Sequence, residues 1–197
     1  MRAGVLPWTA GWATAPPRSD ATPRTVAGAV ARGDDAERAE ELYVRLEPKL
    51  TNTIYRWLWN REEVRDVLHD AFVRLWQMRD RVDWERAEPL VYRIALNLAA
   101  KRRRSRRVWR WVGLEASPEP EAVGGDDRQA EEEAAVRRAI DRLPERLRRV
   151  LVLQIHSDLS HEQIADILQI PVGTVGSRRS AAVAKLRAAM LRWEAGR

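Results

Sequence analysis

The side chains best suited to reading a DNA sequence stand near the C-terminus of the chain. Thr174, Ser177 and Arg178, followed by Arg179, lie on a predicted helix that begins just after Pro171. Hydroxyl and guanidinium groups can reach the donors and acceptors that base pairs present in the major groove. These four residues are therefore the first candidates for contact with DNA.

A helix-turn-helix is predicted to position these side chains. Ser160 and Gln163 form a capping box that begins its first helix. The apolar residues of that helix recur at the spacing of one buried face, at Ile164, Ile167 and Leu168. Pro171 ends the helix and favours the start of the next one. Taken alone, the segment is also compatible with an ordinary three-helix bundle.

A second group of cations, which we call the arginine run, occupies residues 101–107 at the predicted end of another helix. Its members are Lys101, Arg102, Arg103, Arg104, Arg106 and Arg107. Such cations repel one another in water. When they neutralise the phosphates of a nucleic acid, counterions are released, and this release favours binding. The run is therefore interpreted as a nucleic-acid contact, although a solvated helix end that suits the helix dipole is the alternative. Of the nearby tryptophans, Trp57 and Trp76 are expected in the core.

The composition excludes several classes of protein. With no Cys and only 3 His among 197 residues, the chain has no disulfide framework and no cysteine-based metal site, and we expect no metal or other cofactor. Apolar runs fall short of the roughly 20 residues that a membrane helix requires, so we expect no membrane insertion and a cytoplasmic location. The net charge of +6 favours a polyanionic partner.

The pattern along the chain predicts two all-α domains. We expect a disordered tail over residues 1–33, a first helical domain over 34–112, a flexible acidic linker over 113–133 and a helix-turn-helix domain over 134–197. Pro48 is predicted to break or kink the first helix.

Several motifs in this order resemble one known family. They are residues 66–76 (DVLHDAFVRLW), residues 92–99 (YRIALNLA), the arginine run, the acidic linker, residues 143–146 (LPER) and residues 170–175 (IPVGTV). Together they resemble a bacterial sigma factor of the extracytoplasmic-function (ECF) group, over about residues 40–190. The resemblance implies a transcription initiation factor that binds core RNA polymerase, delivers it to promoters and assists promoter opening.

The resemblance also implies partners and site residues. The first domain, like sigma region 2, would bind the clamp helices of the largest polymerase subunit and the minus-ten element. The second, like region 4, would bind the beta flap and the minus-thirty-five element, and an anti-sigma protein is a further candidate partner. The clamp contacts fall on Glu62, Glu63, Asp66, His69 and Asp70. The minus-ten contacts fall on Arg93 and Asn97, the phosphate contacts on the arginine run, and the minus-thirty-five contacts on Thr174, Ser177, Arg178 and Arg179.

This chain departs from the family pattern at informative positions. His69 stands where Gln is usual, and Lys101 stands where an acid is common. Gly176 and Ala181 replace the basic residues that are common in the recognition helix. We therefore expect a divergent member with its own promoter preference.

The sequence also bears on two other functional classes. A stand-alone helix-turn-helix regulator is the main alternative, but a dimeric repressor does not require an acidic patch and a cationic helix in the same bundle. An enzyme acting on nucleic acid is the other. The sequence contains no nucleophile with supporting groups, no carboxylate metal cluster and no glycine-rich phosphate loop, so no catalytic residue is predicted.

Overall fold

The computed structural model describes residues 27–111 and 127–196, and within these ranges the chain consists of helices and turns without a strand. The helices are α1 (Ala27–Leu58), α2 (Arg61–Gln77), α3 (Ala87–Trp111), α4 (Asp127–Asp141), α5 (Glu145–His156), α6 (His161–Leu168) and α7 (Val172–Ala195). Two short 3-10 turns, Arg79–Arg81 and Trp84–Arg86, join α2 to α3. The all-α prediction is confirmed, while residues 1–26 of the predicted tail, residue 112 at the end of the predicted first domain and residues 113–126 of the predicted linker lie outside the described ranges.

Several boundaries differ from those predicted. α1 begins at Ala27 and α4 at Asp127, so residues 27–33 of the expected tail and 127–133 of the expected linker are helical. Of the break or kink expected at Pro48, the break does not occur, since α1 continues to Leu58. Pro48 is exposed, whereas Leu46 and Leu50 on either side of it are buried. Burial of the opposite face therefore holds the helix together, and water can reach the backbone at the proline.

The first three helices pack around an apolar core. Leu46, Leu50 and Ile54 of α1 lie on one face and are at most 1% exposed. They share a core cluster with Phe72 of α2 and Ala95 of α3. Between α1 and α2 the backbone turns sharply, and the Asn60 side chain accepts a hydrogen bond from the Glu63 amide at 2.9 Å. This cap starts α2 and fixes the direction in which its polar face points.

The predicted helix-turn-helix is present. Ser160 and Gln163 form a reciprocal capping box at the start of α6. After α6, Gln169 adopts a left-handed conformation with φ of 52°, and α7 then starts after Pro171. The Gln169 amide side chain donates to the Asp166 carbonyl at 2.7 Å, which offsets part of the cost of that conformation. The turn thereby sets the angle between α6 and α7.

One core joins the first set of helices, α1–α3, to the second set, α4–α7. The chain divides into compact units at residues 1–37 and 38–197, so the second predicted domain and all but residues 34–37 of the first fall within the longer unit. One apolar cluster contains Trp57 and Tyr92 from the first set together with Leu153, Ile164 and Ile167 from the second. The sequence predicted two domains on a flexible tether, and it did not predict that they pack against each other.

The capping box yields a test of local stability. Ser160→Ala removes the acceptor for the Gln163 amide and should lower the free energy of unfolding by about 1 kcal/mol. Thermal and urea denaturation followed by circular dichroism measures the change. Ser180→Ala, at an exposed position within α7, is the matched control and should leave stability unchanged or slightly raised. Equal stability of the two variants would contradict the role of the cap.

Candidate nucleic-acid and partner interfaces

The carboxylates predicted to bind the polymerase form an exposed pair on α2. Asp66 and Asp70 are four residues apart, and their side chains are 63% and 47% exposed. Arg102 of α3 reaches both, with its two terminal nitrogens 3.0 Å and 3.3 Å from the carboxylate oxygens of Asp66 and Asp70. One guanidinium therefore holds the pair in place while leaving much of it open to a partner.

The other residues predicted to contact the clamp helices, Glu62, Glu63 and His69, differ in their exposure. Glu62 and His69 are exposed beside the pair. Glu63 is turned inward, where its carboxylate lies 2.6 Å from Arg106 and its side chain is half-buried. We call Glu62, Asp66, His69 and Asp70 the α2 face. Glu63 lies inward of this face, paired with Arg106.

In this structure, members of the arginine run pair with carboxylates of other helices. Arg102 pairs with the α2 face, and Arg106 pairs with Glu63 and donates to the Leu58 carbonyl at 3.3 Å. Arg103 lies 3.4 Å from the Asp141 carboxylate, and Arg104 lies 3.7 Å from Glu145. Lys101 is exposed, and the side chain of Arg107 lies outside the described part of the chain. Self-repulsion of the run is thus offset by local acids rather than by solvent alone.

The two residues predicted to contact the minus-ten element lie on the same helix, one turn from the arginine run. Asn97 is exposed, and its side-chain oxygen accepts a hydrogen bond from Arg149 at 3.0 Å. Arg93 is half-buried one turn earlier. The neighbouring Tyr92 is buried, and this burial, together with the charges of Glu88 and Asp158, raises the pKa of its hydroxyl. Tyr92 thus stays neutral and fixes α3 in the core.

The recognition residues occupy the first turns of α7. Ser177 and Arg179 are exposed, whereas Thr174 and Arg178 are half-buried. The Ser177 hydroxyl donates to the Thr174 carbonyl at 3.1 Å, so it has a partner within the helix before any DNA is bound. Val175 is fully buried and anchors this end of α7 against the core. The four candidates are therefore carried by a rigid helix rather than a loop.

Two arginines that the sequence did not single out connect the helix sets. Arg148 is only 1% exposed and donates to the carbonyls of Ile140 at 2.9 Å and Leu143 at 3.1 Å. Its guanidinium also lies 5.4 Å from the centre of the Trp57 ring. Arg149, the next residue, is the donor to Asn97. The sequence could have indicated the burial of Arg148, because this residue lies on the same face of α5 as the apolar Leu151.

Several tryptophans pack against other side chains of the protein. Trp57 is in the core as predicted, whereas Trp76 is only half-buried and stacks with Arg79, whose guanidinium lies 4.9 Å from the ring centre. Trp59 contacts the second set of helices, with the Arg137 guanidinium 5.2 Å from its ring centre. Burial lowers the pKa of Arg137, and the nearby Asp141 opposes that shift. In the described ranges, the rings of Trp57, Trp59 and Trp76 therefore contact other side chains of the protein.

An open groove of about 580 Å³ lies between α4 and the C-terminal half of α7. Its floor is apolar, and its rim carries four cations. The lining includes Ala135, Ala139, Leu143, Ala188, Ala189 and Trp193 on the floor and Arg138, Arg142, Lys185 and Arg192 on the rim. The groove suits an apolar helix face with acidic edges.

Among the described residues, no group of three or more His, Asp or Glu side chains is placed to hold a metal ion. In the same part of the chain, no helix is both long enough and apolar enough to cross a membrane.

Comparison with known families identifies two segments. Residues 42–108 match the family described as Sigma-70 region 2, and residues 133–186 match the family described as Sigma-70, region 4. The first match covers the C-terminal half of α1, all of α2 and most of α3. The second covers the C-terminal part of α4, all of α5 and α6, and α7 as far as residue 186.

Curated relatives extend the similarity across most of the chain. The RNA polymerase sigma-H factor of Pseudomonas aeruginosa is 33% identical over an alignment of 163 residues, and the alignment covers 76% of this chain and 83% of that protein. The ECF RNA polymerase sigma factor SigW of Bacillus subtilis is 30% identical over 148 residues, covering 66% of this chain and 76% of its own length.

Solved structures show the same fold. The structure of CnrH in complex with the cytosolic domain of CnrY is similar with a TM-score of 0.58 at 24% identity, covering 79% of this chain and 94% of that one. The sigma factor RpoE in complex with the anti-sigma factor NepR from Bartonella quintana gives a TM-score of 0.57 at 21% identity, covering 77% and 95%.

The glycine in the recognition helix yields a prediction. Apart from its chain neighbours and the adjacent backbone of its own helix, no heavy atom lies within 4 Å of a Cβ added at Gly176, and the residue is inside α7. Gly176→Ala should therefore raise the free energy of unfolding by about 0.8 to 1.0 kcal/mol, because a helix-interior glycine costs that much relative to alanine. Thermal denaturation measures it. Gly173→Ala, equally unobstructed but in the first turn, should gain less, and a loss of stability in Gly176→Ala would contradict the helix described.

Proposed function

The chain belongs to the ECF-type sigma factors, which direct RNA polymerase to promoters, and we propose that its two sets of helices divide this task between the polymerase and the DNA. As a sigma factor, it binds core RNA polymerase and promoter DNA. The observation that carries the proposal is the exposed carboxylate pair on α2 next to a cationic helix, α3.

The α2 face is the proposed contact for the clamp helices of the largest polymerase subunit. Asp66 and Asp70 present two carboxylates to solvent, and Arg102 neutralises them only in part. A basic partner surface can replace or share that guanidinium, and electrostatic complementarity of this kind mainly sets specificity and association rate. Glu62 and His69 border the pair and extend the contact.

Charge reversal tests the clamp contact. Replacing both Asp66 and Asp70 by Lys turns attraction into repulsion and should weaken binding to core polymerase at least about tenfold, equivalent to roughly 1.4 kcal/mol. Co-purification and fluorescence titration with core polymerase measure the effect.

The matched control replaces the acids Asp80 and Glu85, which are exposed elsewhere in the first set of helices, by Lys. It changes the net charge by the same amount and should bind core polymerase like the unmodified chain. Circular dichroism checks that both variants keep their helices. Equal binding by the two double variants would contradict the clamp assignment.

α3 is the proposed promoter face of the first set of helices. Asn97 supplies an amide that can hydrogen-bond to bases, and the arginine run continues along the same helix toward the phosphates. Capture of unstacked bases in this region would assist duplex opening, since each flipped base costs a few kcal/mol that contacts must offset. Arg93 lies one helical turn before Asn97 and completes this face.

α7 is the proposed reader of the minus-thirty-five element. Its first turns carry Thr174, Ser177 and Arg178, and α6 with its turn holds them at a fixed angle. Arg179 is exposed beside them and suits a phosphate. The absence of cations at Gly176 and Ala181 leaves base reading to this small set.

Arg178→Ala distinguishes base reading from phosphate contact. If Arg178 reads a base, the variant should lose about 1 to 3 kcal/mol on the preferred upstream sequence and discriminate less among upstream sequences. Binding of holoenzyme to a promoter library measures both. Arg187→Ala, at an exposed position further along α7, is the control and should change neither. Uniform loss on every sequence, or no loss, would contradict base reading.

The groove between α4 and α7 is the proposed site for the beta flap. Its apolar floor and cationic rim fit an amphipathic helix with acidic edges. An anti-sigma protein is a further proposed partner, since the related RpoE and CnrH structures are complexes, that of RpoE with an anti-sigma factor. We place the chain in the cytoplasm with the polymerase and assign it no catalytic activity of its own.

A further inference from the structure

We propose that Arg102 serves the polymerase contact and not the promoter contact, because it holds Asp66 and Asp70 in a fixed arrangement on the α2 face. The proposal rests on the assignment of the α2 face to the polymerase clamp given above. It removes one member of the arginine run from the predicted phosphate contacts and makes it a positioning residue.

Helical spacing places Arg102 on the face of α3 that packs against α2. The buried residues Ala95 and Ala99 begin a stripe that continues, at the spacing of one helical face, through Arg102 and Arg106. The side chains of Arg102 and Arg106 are only 29% and 18% exposed, whereas that of Arg104 is 67% exposed. The period of the helix therefore divides the arginine run, and Arg102 points toward α2.

The guanidinium of Arg102 bridges two carboxylates. One terminal nitrogen lies 3.0 Å from Asp66 and the other lies 3.3 Å from Asp70, in each case through one carboxylate oxygen. In the described part of the chain, the second oxygen of each carboxylate has no hydrogen bond, so it stays available to a basic side chain of a partner. Because a guanidinium presents its N–H groups at fixed angles, one side chain can restrain both carboxylates.

The bridge opposes a repulsion that α2 cannot relieve by itself. Carboxylates four residues apart on a helix are neighbours, and they destabilise each other when both are charged. Among the described residues, no cation other than Arg102 forms an ion pair with Asp66 or Asp70. Without Arg102 the two side chains would separate, and a partner would have to order them on binding. Arg102 orders them before the partner arrives.

The charge of Arg102 has an opposite effect that binding kinetics can separate from positioning. A cation beside the α2 face weakens the long-range attraction of a basic partner, and this attraction mainly sets the association rate. The order of the side chains in contact mainly sets the dissociation rate. Loss of Arg102 should therefore raise both rates, whereas damage to the fold of α2 would not speed association.

Arg102→Gln tests the proposal with the full chain and immobilised core polymerase, and surface plasmon resonance measures both rates. The dissociation rate should rise about three- to tenfold, the range expected when one or two interface side chains must be ordered on binding. The association rate at low salt should also rise. Arg81→Gln, the matched control, removes the same charge from an exposed position outside α3 and should leave the dissociation rate unchanged. Circular dichroism checks that both variants keep their helices.

Promoter binding by the holoenzyme, with core polymerase in excess, gives a second readout. The slope of log affinity against log salt concentration falls by about 0.9 for each phosphate contact that is lost. Arg102→Gln should keep the slope of the unmodified chain. A slope lower by about one would place Arg102 on a phosphate and overturn the proposal.

Faster association and faster dissociation of Arg102→Gln, with an unchanged salt slope, support the proposal. An unchanged dissociation rate overturns it, and so does an association rate that does not rise. The variant with Lys at both Asp66 and Asp70 tests the proposed function separately. If that variant binds core polymerase like the unmodified chain, the clamp assignment fails. If it loses binding while Arg102→Gln dissociates at the unmodified rate, only the role of Arg102 is lost.

Discussion

The buried guanidinium of Arg148 is the interaction on which the arrangement of the helices depends. It satisfies carbonyl groups at the end of α4, lies 3.7 Å from the Asp141 carboxylate and stacks on the ring of Trp57 from α1. A buried cation is costly unless every such partner is in place. Arg148 therefore links the fold of the second set of helices to its contact with the first.

That link determines where the charges of the chain meet. With α4 and α5 held against the first set of helices, Asp141 and Glu145 come within reach of Arg103 and Arg104, while Arg102 turns the other way to the α2 face. Consecutive arginines on one helix thus connect the carboxylates proposed to bind the polymerase with the second set of helices.

Local features of the fold followed from the sequence, and long-range ones did not. The capping box at Ser160, the helix-turn-helix and the apolar stripes were predictable because propensity and periodicity act over a few residues. The continuity of α1 through Pro48 required knowledge of burial on the opposite face. The partners of Asn97 and Arg103, 52 and 38 residues away, required the tertiary structure, because spacing alone cannot pair distant charges. Residue roles at the polymerase and the promoter remain proposals.

The most direct test of this account measures the distance between the two sets of helices. The chain has no Cys, so Arg65→Cys in α2 and Ser180→Cys in α7, both exposed, provide unique sites for a donor and an acceptor fluorophore. Energy transfer should be high in the free chain and should fall when core polymerase and promoter DNA are added, because the groups of α3 proposed to contact the promoter are engaged by α4 and α5 in the free chain. The same transfer efficiency in the free chain and in a transcriptionally active complex would contradict the account.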